Sequence, residues 1–355
     1  MTATVVQLSG DRQDLTERER MILRAIIHLF ILHATPVGSR IVSKYLEREF
    51  ALSPATIRNV MSDLEEMGYI THPHTSAGRM PTDKGYRFYV DSLMGSELLS
   101  TLETETVLGN LRGSPRETVL RDASRVLGSL SHYLALVQLP QLGDVIVQKV
   151  EMLRLSSERL LVVVALESDI VRTVTIETHH LPEHASLDEI TRAINERLAG
   201  RPLSMLNALF PDMLDDTHSS DGALIRLFVD HVGRLNDSSL QAPSSIHVAG
   251  TQNLLTHPEF DDPERMRSVI ELVENEDVII HLLGTAQEND GVAVRIGNEL
   301  QNEQLQDYSL IATTYRVGSA SGSVGLIGPK RMNYSRMVSL VQFVGTVLSS
   351  TLRSR

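Results

Sequence analysis

"LSPATIRNVMSDLEEMGYI", residues 52–70, holds a helix whose two ends and two faces can be read directly. Ser53 is a natural N-cap, Pro54 fits the first helical position, where its missing N–H costs nothing, and Gly68 fits the C-terminal end. At about 100° per residue, Ile57, Val60, Met61 and Leu64 gather on one side, while Ala55, Arg58, Asn59 and Ser62 gather on the other. One face is made to pack; the other is small, polar and free.

Upstream, "LTERERMILRAIIHLFILHA", residues 15–34, places Thr16 and Glu19 at capping-box spacing and Met21, Ile22, Ala25, Ile26, Leu29 and Phe30 at helical intervals. Pro36 follows its end. Residues 38–50, "GSRIVSKYLEREF", predict a shorter helix with Ser39 as cap and Ile41, Val42, Tyr45 and Leu46 as its apolar stripe. Two helices joined by a brief turn, the second presenting Arg and Asn outward, make a helix-turn-helix, whose second helix lies in the major groove. Arg can pair with guanine and Asn with adenine, each through two hydrogen bonds. A small bundle with a solvated face explains three helices equally well, so the next segment decides.

That segment is "YITHPHTSAGRMPTDKGYRFYV", residues 69–90. It predicts a strand over 69–72, a polar turn, a return through Arg79-Met80-Pro81, and a helix capped by Thr82 and running to Asp91. A strand, loop and return after a helix-turn-helix form a wing. Arg79 is then a candidate for the minor groove or a phosphate, and Lys84, Tyr86 and Arg87 for the DNA backbone. The formal charge of −12 speaks against nucleic acid only on average. Residues 1–90 hold 11 Lys and Arg against 10 Asp and Glu, so the acidity belongs to the rest of the chain.

"LSPATIRNVMSDLEEMGYI" followed by "SAGRMPTDKGYRFYVD" resembles the HrcA family of bacterial heat-shock repressors. "AGTQNLLTHPEF" (249–260), "IGNELQNEQLQDYSLI" (296–311) and "GSVGLIGPKRMNYSRMVSLV" (322–341) extend the resemblance over nearly the whole chain. One departure is Leu300, where many members carry Asn. The resemblance implies an α+β multidomain fold. It has an N-terminal winged helix-turn-helix (1–94) and a GAF-like mixed sheet and helix domain in two parts (95–180 and 250–355), interrupted by an inserted, mainly helical dimerisation domain (181–249). It implies a homodimer repressing chaperone operons from an inverted-repeat operator in double-stranded DNA, with the GroEL chaperonin keeping the repressor competent. A GAF-like domain that senses a small molecule is the alternative.

The body agrees in outline. Residues 95–131 suggest a linker and then helix. Strand-rich runs occur at 135–139, 145–155, 160–166 and 170–176, helical ones at 187–198, 203–209 and 222–235, and strands return at 246–249, 278–283, 292–296, 310–317 and 323–327, with a helix at 263–273. Leu203, Leu206, Leu209, Phe210, Leu224, Leu227 and Phe228 are candidates for a dimer contact, with ordinary core as the competing assignment for each.

Other chemistry finds little support. With no cysteine, disulfides and thiolate sites are excluded. His179, His180 and His184, near Glu177, Glu183 and Pro182, lack metal-ligand spacing and suit a solvated loop. The glycines of "GSASGSVGLIGPKRM" lack phosphate-loop order, and a turn between strands accounts for them. Lys330 and Arg331, at a strand end, suit an interdomain joint or an anionic group. No catalytic spacing appears, no cofactor is expected, and no leader or apolar run of membrane-spanning length is found, so the expectation is a cytoplasmic protein that is not an enzyme.

Overall fold

A computed structural model describes residues 15–48, 50, 52–74, 78–95, 97–115, 118–167, 170–178, 184–210, 220–233, 246–287 and 291–353. They fall into two compact units. The first draws on Met1–Val137, Val248–Thr314 and Ser323–Val347, and the second on Gln138–His247, Tyr315–Gly322 and Leu348–Arg355.

The first unit begins with three helices, α1 (Glu17–His33), α2 (Ser39–Leu46) and α3 (Pro54–Glu66). Thr16 and Glu19 form the anticipated capping box on α1, and Ser53 Oγ accepts from Thr56 N at 3.1 Å to cap α3. Helix α2 is capped at Gly38 and not at Ser39. Its apolar stripe is also narrower than expected: Val42 and Leu46 are buried, whereas Ile41 and Tyr45 are 52% and 47% exposed. Val42 and Leu46 point into the core, while Ile41 and Tyr45, one position earlier, are turned about 100° away, and Tyr45 meets the His28 ring of α1 at 5.6 Å between centroids near the surface.

Strands β1 (Ile70–Thr71) and β2 (Met80–Pro81) pair antiparallel, and Val37 joins them through two hydrogen bonds with Arg79, of 2.8 and 2.9 Å. The predicted strand over 69–72 thus shortens to two residues. Thr82 caps α4 (Asp83–Phe88), which runs on into a wider turn at Tyr89–Leu93. Gly85 lets α4 lie against the chain entering the wing, since a Cβ there would stand 2.1 Å from Tyr69 O.

Two further helices, α5 (Thr101–Gly113) and α6 (Val119–Ser131), precede a sheet of order β7-β3-β10-β9-β8. Its strands are β3 (Leu134–Gln138), β7 (Ile246–Ala249), β8 (Val292–Ile296), β9 (Tyr308–Val317) and β10 (Ala320–Pro329). β3 pairs antiparallel with β10 and β8 with β9. Helix Tyr334–Arg353 packs on this sheet through buried Met337, Leu340, Val341 and Val344. Gly318, at φ +61°, makes the expected turn between β9 and β10, whereas Gly322, Gly325 and Gly328 lie within β10, where a Cβ on Gly325 would stand 2.8 Å from Ile311 O. Close packing, not a phosphate, accounts for them. The run at 278–283, expected as a strand, is helical within Glu276–Gln287, with Ile279, Leu282 and Leu283 buried at helical spacing. A short apolar run does not by itself distinguish buried helix from buried strand.

The second unit contains the meander β4 (Val147–Arg154), β5 (Arg159–Leu166) and β6 (Ile170–Glu177), antiparallel throughout. Helix His184–Leu198 is fixed to β4 by Asn195, whose side chain accepts from Val150 N and donates to Val150 O, both at 2.8 Å. Helix Ser220–Gly233 completes this core. These strands therefore group with the helices after them and not, as the expected bounds of 95–180 had it, with β3. His179, His180 and Glu183 lie outside the described residues, as does the side chain of His184.

Candidate nucleic-acid interface

The polar face of α3 is where the helical period places it. Ile57, Val60, Met61 and Leu64 are buried, and Ala55, Arg58, Asn59 and Ser62 are exposed. Ser62 Oγ donates to Arg58 O at 3.3 Å. The Arg58 guanidinium makes no ion pair or hydrogen bond with any described residue, so this cation stands ready for an outside acceptor.

The basic residues after α3 are each held within the protein. Arg79 sits at the base of the wing, with Nη2 2.7 Å from Glu65 Oε2, and Glu65 also contacts His72 Nδ1. The turn residues Thr75, Ser76 and Ala77 lie outside the described residues. Lys84 donates to Met67 O at 2.8 Å, near the C-terminal end of α3, and its ammonium lies 4.5 Å from the Tyr69 ring centroid. A cation in this position also suits the negative end of a helix.

Arg87, anticipated on the DNA backbone, faces the body instead. Its Nε donates to Glu299 Oε1 at 2.8 Å and its Nη2 to Val294 O at 2.6 Å. Nη2 also contacts Glu299 Oε2, and Nη1 lies 3.0 Å from Asp91 Oδ1. Burial works to lower the pKa of this guanidinium, but the hydrogen bond and charge of Glu299 outweigh it and hold the group above its ordinary value. Arg87 therefore stays charged while buried, and each of its three nitrogens donates to an acceptor.

Lys330 and Arg331 belong to the same joint. Lys330 Nζ donates to Asp83 Oδ1 at 2.8 Å, and Asp83 Oδ2 accepts from Asn298 N at 3.1 Å. Arg331 donates to Ile31 O, the carbonyl of a residue in α1, at 2.6 Å and to Glu259 at 2.5 Å. Tyr86, anticipated on the DNA backbone, is instead buried against the Tyr334 ring, and burial pushes its hydroxyl well above the usual tyrosine range. Asp83 and Glu299 were missed by sequence reading, which had no means of pairing residues more than 200 positions apart.

Of the residues anticipated at a dimer contact, Leu203, Leu206, Phe210, Leu224 and Phe228 are buried in the core of the second unit, and Leu209 and Leu227 are half-buried. Five of the seven thus have no surface to offer a second copy, because the helices carrying them fold onto one another and onto β6.

Residues 14–92 match the family described as winged helix-turn-helix transcription repressor, HrcA DNA-binding, and residues 117–338 the HrcA protein C-terminal domain. The chain belongs to the HrcA family. It is 38% identical to the heat-inducible transcription repressor HrcA of Chlorobium chlorochromatii, covering 96% of this chain and 99% of that one. The HrcA of Geobacter sulfurreducens is 36% identical, with coverages of 96% and 98%. A crystal structure of a hypothetical protein is similar over 96% of this chain and 99% of its own, with 29% identity and a TM-score of 0.60. The chain is thus a DNA-binding winged-helix transcription regulator. Among the described residues no helix is long and apolar enough to cross a membrane.

Replacing Glu299 by Ala leaves Arg87 charged, largely buried and short of its main acceptor. Denaturant unfolding should show a loss of about 2–5 kcal/mol, and a loss within error of zero would mean that the pair does not hold α4 in place.

Proposed function

We propose that this chain is a heat-inducible repressor that binds double-stranded DNA as a homodimer, at an inverted repeat upstream of chaperone genes, and that the GroEL chaperonin modulates its activity. The DNA contact rests on one observation: Ala55, Arg58, Asn59 and Ser62 are exposed on α3 opposite a fully packed face, with a wing following directly. In this reading Arg58 and Asn59 meet base edges, Ala55 allows close approach to the groove, and Ser62 adds a polar contact. Arg79 and Lys84 sit at the wing and reach phosphate by exchanging Glu65 and Met67 O for it. Arg87 is left out, because Glu299, Asp91 and Val294 already occupy its donors.

A two-fold protein reads a two-fold site, with half-sites about one helical turn, roughly 34 Å, or a multiple apart. The five-stranded sheet with its helices would be the GAF-like body, and β4–β6 with the helices His184–Leu198 and Ser220–Gly233 the inserted dimerisation segment, which then begins well before the residue 181 expected. Exposed apolar side chains in the second unit, such as Leu153, Leu155, Val171 and Met205, suit burial against a second copy better than the inward-facing leucines do.

Chaperonin control requires an active form of marginal stability whose population the chaperonin raises. Adding chaperonin and ATP to the purified protein should increase the fraction that binds DNA, and an unchanged fraction would remove this part of the proposal. The DNA contact has a separate test. Arg58→Ala and Asn59→Ala should each reduce discrimination between an inverted-repeat duplex and a scrambled one by about 1–3 kcal/mol, measured by fluorescence anisotropy. An unchanged ratio in both variants would mean that α3 is not the reading helix.

A further inference from the structure

The packing of α2 leaves a pair of cations with no partner among the described residues. Val42 and Leu46 form the buried seam of this helix, which turns Arg40 and Lys44 to the opposite side. Spaced i, i+4, they lie on one face with Cβ atoms about 5–6 Å apart. Both are exposed, and neither has an ion pair or side-chain hydrogen bond with a described residue. This contrasts with Arg79, Lys84 and Arg87, each of which has a protein partner.

The two cations border a shallow hollow of about 490 Å³, lined by Arg40, Ser43, Lys44, Glu47, Leu52 and Ser53. Its floor is fixed, because Ser43 Oγ donates to Leu52 O at 2.8 Å and so ties α2 to the turn before α3. Ser53, in the lining, is the N-cap of α3, two residues before Ala55 and five before Arg58, so the hollow lies at the start of the helix that carries the polar face. Glu47 is the one carboxylate in the lining.

We infer that Arg40 and Lys44 form a clamp for the sugar–phosphate backbone of DNA, seated beside the base-reading face of α3. This rests on the proposal that α3 enters the groove and adds residues that anchor the duplex without reading its sequence. The occupant follows from charge. Two exposed cations one helical turn apart suit a strand of phosphates, and in a chain of net charge −12 a basic pair with no partner among the described residues marks where a polyanion can approach. Glu47 opposes it and sets an upper limit on the attraction.

A backbone clamp has a signature distinct from base reading. It contributes equally on every sequence, and each phosphate neutralised adds about 0.9 to the slope of log K against log salt. The experiment measures binding of full-length protein to an inverted-repeat duplex and a random-sequence duplex across a salt series. The R40Q/K44Q double variant should bind both duplexes more weakly by the same factor, and its slope should fall by about 2 per bound protomer. Glu47→Gln should strengthen binding to both by a common factor, an effect that a misfolded variant cannot produce. Unchanged affinities and slope in the double variant, beside normal wild-type binding, would overturn the clamp alone. If the wild type bound neither duplex, the DNA-binding proposal beneath it would fall as well.

Discussion

Four buried side chains on α3 determine the direction in which the rest of this molecule can act. Ile57 and Leu64 are fully buried and Val60 and Met61 nearly so, each stabilising the packed state by about 1.5–3 kcal/mol relative to exposure. Because a helix turns about 100° per residue, fixing that stripe also fixes Arg58 and Asn59 outward. No contact made by the polar residues is needed to aim them. Their orientation follows from the core, and this leaves their side chains unengaged by any described residue and available to an outside partner.

A second constraint acts on α4. Asp83 and Arg87, a turn apart, are each engaged by distant residues: Asp83 by Lys330 and Asn298, Arg87 by Glu299 and Val294. Arg331 reaches back to α1 through Ile31 O. The basic residues of this region therefore divide by partner. Arg87, Lys330 and Arg331, paired with carboxylates, hold the fold together, and Arg40, Lys44 and Arg58, with no carboxylate partner among the described residues, face outward. Charge counted along the sequence does not make this division, because Arg87 and Arg58 look alike until Glu299 is brought next to one of them.

The winged helix was largely legible because its signals are local. A cap at Ser53, proline at the first position, glycine at the end and a four-residue apolar stripe all lie within 16 residues. The face split of α3 and the cap at Thr82 needed nothing more. Three kinds of feature were not legible. The run at 278–283 suited helix and strand equally until packing chose between them. Leucines of the second unit carry no mark that separates core from interface, and most proved to be core. Apolar spacing puts Ile41 and Tyr45 on the buried stripe of α2, but the seam is only Val42 and Leu46, and Arg40 and Lys44 lie opposite that narrower pair.

The central claim is that α3 and its wing read a two-fold DNA site. The most direct measurement is binding of the full-length protein to three duplexes, an intact inverted repeat, a single half-site and a scrambled sequence, across a salt series. The account predicts tight binding of two protomers to the intact repeat, weaker binding to the half-site, and a preference over the scrambled duplex that persists as salt rises. Equal, weak and steeply salt-dependent binding to all three would contradict it, because only the phosphate backbone would then be recognised.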